Sequence, residues 1–462
     1  MNRKAVFAGS FYPADSDELT KLLESYKDYK YYEYKSKAII APHAGFSYSG
    51  HAAMSAYQQL ELSENVFIIA PSHHENFNGI ALPKYTYFDT PLGSVEVNNR
   101  LIKEIHEKFP SIISDIPFEH EHAVEVQIPF LQNILHPASS HNPIDAGEFV
   151  KRIKNQRKKI KIIPIITGRC DYRLIADIIA EYWENSSFVI SSDLSHYYSY
   201  NECKQIDAYT ATIIETGKID CFNVQQACGL IGIKGLSEFA NRNSYSMIRV
   251  EMYNSGDIGG DKEKVVGYGS WMLYEGKKDD FVQNFYKDYI LKLAKTAIYS
   301  EFTGENFLPK HIPPVLLEYG ASFVTLEIDN HLRGCIGSIY PTKPFIVDLT
   351  DNAKNAAFFD PRFNPLTEEE FNKIQVSVSV LSAIERINFK DERDLLSKIY
   401  PYGIIIAERD KRAVYLPVVW EQLPEKEIFL NSLKEKAGLP PNYFSRSLEA
   451  YKFTAMYLKE EV

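Results

Sequence analysis

Unbroken apolar runs, not alternating ones, set the pattern of the first 280 residues. AIIAP (38–42), VFIIAP (66–71), KIIPIITG (161–168) and FVISS (188–192) lack the polar alternation of a half-solvated strand. Such runs predict strands buried on both faces, as in a parallel sheet. Helical periodicity lies between them. DELTKLLESYKDY (17–29) gathers Leu19, Leu22, Leu23 and Tyr26 on one face, and RLIADIIAEYWEN (173–185) reads as a crossover helix. The expectation is a layered α/β/α domain.

Past residue 280 the texture changes. FVQNFYKDYILKLAKTAIYSEF (281–302) predicts one long helix. Period-two runs follow: SFVTLEI (322–328), a turn at Asp329-Asn330-His331, LRGCIGSIY (332–340), KIQVSVSVLS (373–382), GIIIAE (403–408) and AVYLPVVW (413–420). This spacing predicts a smaller α+β domain with antiparallel sheet. The charged, glycine-bearing stretch YEGKKDD (274–280) after VVGYGSWML is the expected linker. The predicted domains are 1–276 and 281–462. No internal repeat or low-complexity tract is visible.

Composition narrows the function classes. A chain of 462 residues with 45% hydrophobic content can bury two cores. No run approaches the roughly 20 apolar residues of a membrane span, and the start, MNRKAVFAGSFYPADSDE, turns acidic where a secretion signal would be apolar. A net charge of −10 argues against a nucleic-acid partner. The one basic cluster, KRIKNQRKKIK (151–161), reads as a solvated helix and loop, with a phosphate-binding patch as the alternative. Five irregularly spaced cysteines argue against a disulfide framework and for a reducing, cytoplasmic setting.

Ten of the twelve histidines lie at or before position 196, so imidazole chemistry belongs to the first domain. His43 follows AIIAP, His73 and His74 follow VFIIAP, and Asp193 and His196 follow FVISS. Ligands of open α/β sheets bind beyond the carboxyl ends of strands, which is where these residues fall. The three-residue spacing of Asp193 and His196 predicts one face of a helical turn. His120 and His122, in EHEHAVEVQIPFL, sit in a loop entering a helix. Each histidine alone reads first as a capped or hydrogen-bonded structural residue and second as a ligand. Together they suggest two imidazoles and one anionic ligand, an arrangement of non-haem iron and of catalytic zinc. Asp193, Glu125 or a cysteine completes that set. Cys228, in QQACGLIGIKG, is one such cysteine and also reads as a small buried hydrophobe.

The ordered motifs AGSFYPAD, PHAGFSYSG, APSHHENF, EHEHAVEVQIPFL, SSDLSH and ACGLIG resemble the Memo family over roughly residues 3–274. That family is similar in fold to class III extradiol dioxygenases. The resemblance implies a metal site at His43, His73 and Cys228, with Asp193 and His196 beside it, and His122 and Glu125 in a further family motif. A thiolate stands where true extradiol enzymes supply a carboxylate. The implied cofactor is one divalent metal, iron(II) first, with zinc or copper as softer alternatives.

LRGCIGSIYPTKPFIVDL, NAKNAAFFDPRFNPLTEEEF and VSVSVLS resemble the AMMECR family over about 285–460. The pairing resembles the bacterial and archaeal system in which both parts accompany a radical-SAM protein, the implied partner. No CxxxCxxC cluster motif is present in this chain. Glycine-framed Cys335, beside Arg333, reads either as a tightly packed strand or as a thiol stabilised by backbone amides. Asp360-Pro361-Arg362 reads as a turn with an Asp–Arg contact, or as part of a pocket with Cys335.

The resulting expectation is a metal-dependent, dioxygenase-like oxidoreductase acting on a small molecule or modified peptide. His196 is its general acid/base, Asp193 orients it, and His122 and Cys335 are further catalytic candidates. The alternative is a recognition module that presents a modified peptide to a partner enzyme.

Overall fold

In a computed structural model the chain divides into two compact units, 1–280 and 281–462. The structure describes residues 1–27, 32–135, 160–223, 225–304 and 312–460. Most of the basic cluster 151–161 therefore lies outside the described residues; only Ile160 and Lys161, which lead into a strand, fall within them.

The four apolar runs form the centre of a twelve-stranded sheet. Lys161–Thr167, Asn65–Pro71, Ser186–Ser191 and Ala38–Ala41 lie side by side and parallel, with Ile69 opposite Ile190 and Ala41 opposite Ser191. Val265–Tyr274 adds antiparallel to Ala38–Ala41 and pairs Ser246–Asn254 on its other side. Every residue of Ala38–Ala41 and Ser186–Ser191 is buried, as strands covered on both faces require. Helices Ser16–Ser25, Phe46–Tyr57 and Ile128–Ile134 pack together, as do Tyr172–Tyr182 and Leu230–Asn243. Short strands at Asn2–Arg3, Ile80–Leu82, Tyr87–Thr90, Gly93–Val97 and Ser111–Ile113 extend the sheet where no periodicity foretold them. Two to five residues carry too little pattern to read.

The predicted linker shrinks to residues 275–277, because the helix begins at Lys278 and runs to Thr303. The second unit holds two antiparallel sheets. One orders His331–Gly337, Tyr319–Ile328, Gln375–Leu381 and Ala455–Lys459; the other orders Glu385–Ile387, Glu449–Phe453, Gly403–Glu408 and Lys411–Tyr415. The predicted turn is a two-residue hairpin loop, Asp329–Asn330, with φ of 50° and 61°, the left-handed pair that matches strand twist. AVYLPVVW is strand only as far as Tyr415. Pro417 cannot donate to a ladder, and Pro417–Glu421 forms a short 3₁₀ turn.

Candidate metal centre

Three strand ends and one helix start converge on a single cleft. His43 leaves Ala38–Ala41, His73 leaves Asn65–Pro71, Asp193 and His196 leave Ser186–Ser191, and Cys228 precedes helix Leu230–Asn243. One ligand atom each from His43, His73 and Cys228 lies within 4.8 Å of the other two. The cleft above them measures about 730 Å³ and is also lined by His122, Asp193 and His196.

His43 is 1% exposed, and its neighbours fix its tautomer. Ser191 Oγ donates its one proton to the Ala123 carbonyl at 2.7 Å and accepts from Gln127 Nε2 at 2.9 Å. Gln127 is itself oriented, donating to the Pro42 carbonyl and accepting from Tyr57 Oη. Ser191 Oγ can therefore only accept from His43 Nδ1, 2.8 Å away. The proton sits on Nδ1, and the Nε2 lone pair faces Cys228 Sγ at 3.1 Å. The His43 backbone N–H donates to Asp193 Oδ1 at 2.7 Å.

His73 is held by Glu121, a residue the sequence reading passed over. Its Nδ1 stands 2.8 Å from Glu121 Oε1, and its backbone N–H donates to Oε2 at 2.7 Å. The same carboxylate accepts the Ala123 N–H and so caps helix His122–Glu125. With Nδ1 turned to a carboxylate, His73 Nε2 is left for a ligand, as in carboxylate–histidine–metal triads. The His122 ring stacks 4.7 Å from His73 and stands 5.2 Å from His43, with Phe11 against it at 4.6 Å. His73, Glu121 and His122 make a second group of close ligand atoms.

Cys228 is fixed by backbone. Asp193 N–H donates to its Sγ at 3.3 Å, and Gly229 N–H donates to Ser192 Oγ at 2.9 Å. A Cβ at Gly229 would stand 2.5 Å from the Ser191 carbonyl oxygen, so only glycine permits this approach of helix to strand end.

Residues 3–272 match the family model of Memo-like protein, and residues 291–458 match that of AMMECR1. The chain belongs to the Memo family. Its second part carries the AMMECR1 match, so the two are fused. A MEMO1 family protein of Aquifex aeolicus is 31% identical over 288 residues, 58% of this chain and 97% of that protein. One from Thermoplasma acidophilum is 32% identical over 286 residues, covering 58% and 98%. The crystal structure of uncharacterized protein PH0010 from Pyrococcus horikoshii is 34% identical, covers 40% of this chain and 93% of its own, and has a TM-score of 0.37.

Electrostatics in the Memo unit follow from burial. Burial, then the neighbouring His73, lowers His43 to about 3, and burial with His43 nearby lowers His122 to about 3. Burial raises Glu121, but the hydrogen bond and charge of His73 outweigh it and hold the carboxyl at about 2. Burial lowers His73, yet Glu121 leaves it raised overall. Burial, then Asp193, pushes the Cys228 thiol up, and burial raises Asp193 against the His43 N–H. A cation among these donors would reverse the cost for Cys228, since a coordinating thiol is deprotonated outright. The donor set fits one divalent ion: two imidazoles whose Nδ1 atoms are engaged elsewhere, leaving Nε2 as the ligand atom, and a thiol.

Two expectations are corrected. Asp193 and His196 share no helical turn. After Ser191 the chain runs as a loop, and His196 opens strand His196–Tyr198, paired to Val266. Glu125 is no ligand candidate either. Its buried carboxylate pairs with the Arg3 guanidinium and accepts from Val6 N–H, Phe7 N–H and Tyr12 Oη. These bonds occupy both oxygens and tie the N-terminal segment to helix His122–Glu125. His74 and His120 are exposed and do not line the cleft.

Cys335 lies in the second unit, on strand His331–Gly337. Its N–H donates to Asp360 Oδ2 at 2.9 Å and its Sγ accepts from Thr325 Oγ1 at 3.2 Å. The amide expected to stabilise a thiolate is thus spent on a carboxylate. Asp360 and Arg362 form the expected contact at 2.7 Å. Arg333 pairs with Glu370, turned to a different partner from the thiol.

Proposed function

We propose that the Memo unit is a metal-dependent oxidoreductase of the non-haem iron type, acting on a small molecule or modified peptide group in the cleft. The observation that carries this is the convergence of His43, His73 and Cys228 within 4.8 Å at a cleft that also presents His122, Asp193 and His196. Iron(II) is the first choice of ion, and the thiol makes zinc or copper(I) the alternatives. Bound there, such an ion would supply redox capacity or Lewis acidity to a substrate in the cleft.

The chain's own residues do the rest. Ser191 and Glu121 hold the two imidazoles with Nε2 free. Asp193 fixes the loop carrying His43 through its backbone N–H. Phe11, Ala227 and Val266 give the cleft its apolar walls. His196 is the group for proton transfer: its imidazole lines the cleft and none of its ring nitrogens has a hydrogen-bond partner among the described residues. All five cysteines are free, in keeping with a reducing cytoplasm, and no helix among the described residues is long and apolar enough to cross a membrane.

The Memo–AMMECR1 fusion supports a radical-SAM protein as partner, which co-purification from the native host would test. The metal claim is tested by anaerobic purification and metal analysis of the wild type, His43→Ala and Cys228→Ala. The expected result is about one ion per chain in the wild type and strong loss in both variants. Full retention in both would sink the assignment.

A further inference from the structure

Strand His196–Tyr198 contains an irregularity that the proposed chemistry does not use. His196 pairs with Val266 and Tyr198 with Val265, so two steps on one strand meet one step on the other. Tyr197 is the extra residue of a β-bulge. Its φ is +63°, in the left-handed region that bulky side chains rarely adopt. The residue is 73% exposed and lines the cleft, and its ring stands edge-on 5.8 Å from the His196 ring. A large aromatic is thus held in an unfavourable backbone shape with most of its surface in water. Strain retained beside a candidate site points toward function.

The rest of the lining indicates what the ring would meet. Phe11, Ala227 and Val266 are apolar, and no lysine or arginine lines the cleft among the described residues. A phosphate or carboxylate would find neither a lysine nor an arginine to pair with at this mouth of the cleft. A flat, uncharged π-system would find one open aromatic face.

We propose that Tyr197 is a specificity-determining residue that stacks on a neutral planar aromatic group of the ligand at the mouth of the cleft. This deepens, and rests on, the reading of that cleft as the substrate site. The bulge projects the ring, and the ligand covers it.

The test uses the full chain and 2-naphthol as probe, with cyclohexanol and phenyl phosphate as non-planar and anionic comparisons. Binding and thermal midpoint are measured for the wild type, Tyr197→Phe, Tyr197→Gly and Tyr197→Asn. Phe keeps the ring; Gly and Asn tolerate a positive φ and lack it. The wild type should bind 2-naphthol in preference to both comparisons. Tyr197→Phe should stay within twofold, while Gly and Asn should weaken binding about 3- to 10-fold and raise Tm by about 2–4 °C as strain is relieved. Higher Tm with unchanged binding would make the strain irrelevant to a ligand and overturn the proposal. So would failure of the wild type to bind 2-naphthol, or equal weakening of cyclohexanol. Metal content measured on the same samples, and on His43→Ala, separates the two ideas: loss of the metal reading leaves the Tyr197 dependence standing, and the reverse.

Discussion

Ser191 Oγ accepts the Nδ1 proton of His43 across 2.8 Å while giving its own proton to Ala123. One hydroxyl thereby decides which nitrogen of a buried imidazole can bind a ligand. Ser191→Ala removes that decision without touching a metal donor. Outer partners of metal-bound histidines are commonly worth 10–100-fold in affinity. Ser191→Ala should therefore lower affinity for the ion by roughly 10-fold or more in competition with a chelator. Stability should fall by about 1–3 kcal/mol, because buried donors lose their acceptor. Unchanged affinity would mean that His43 needs no tautomer control.

Acid should weaken the metal-free protein earlier than its carboxylates alone would dictate. Burial holds His43 and His122 at about 3, against 6.5 in an unfolded chain. Between those values the unfolded state binds more protons, so stability falls as pH is lowered from 6.5 toward 3. At pH 5 a fully buried histidine of this kind costs roughly 2 kcal/mol. His73 does not offset the slope: its pKa is raised, so its contribution is complete below 6.5 and is lost only as pH rises. Glu121, held at about 2, contributes stability present above about pH 4.3 and lost as pH falls through 2. Urea unfolding at pH 7 and 5 should show the histidine loss, and His122→Gln should reduce it. A flat profile over that range in the wild type would contradict the buried neutral state.

His196 separates an enzyme from a recognition module. His196→Ala should keep its metal, because the ligand set of His43, His73 and Cys228 is untouched. Any turnover found for the wild type should fall by about 10²–10⁴-fold, the usual worth of a positioned acid–base group. A variant that retains full turnover removes His196 from the chemistry. One that retains partner binding in a protein with no turnover favours recognition.

In the second unit, the glycine before Cys335 should matter more for stability than the thiol. A Cβ at Gly334 would lie 2.1 Å from the Ala356 carbonyl oxygen, a backbone atom that cannot swing away. Gly334→Ala should cost about 3 kcal/mol or more in chemical unfolding. Cys335 is half-buried, and its Sγ accepts from Thr325. Cys335→Ala should stay within about 1 kcal/mol. The opposite ranking would show that the motif's glycines are not there for packing.

Much of this arrangement could be read from the chain, and the reason is local. Ala38–Ala41, Asn65–Pro71 and Ser186–Ser191 are buried on both faces, so their composition advertises them, and each ends two residues before its site residue. The supporting residues were not legible. Glu121 was visible within EHEHA, but its hold on His73 depends on a helix cap meeting a loop 48 residues away. Ser191 looked like the last residue of a strand. Its part in fixing His43 requires Gln127 and Ala123 to arrive from another element. Helical spacing misled at Asp193 and His196, because pairing with Val266 overrides any local preference for a turn. Glu125 resembled a ligand until Arg3, more than a hundred residues earlier in the chain, claimed it.

The missing side chain at Gly229 has a consequence for how such a centre can change over generations. Helix and strand end are pressed together there with no room for even a methyl group. The third donor, Cys228, is consequently carried at the depth that this contact sets. A lineage that replaced this glycine would have to withdraw the helix from the strand end, and the donor beside it would move in the same step.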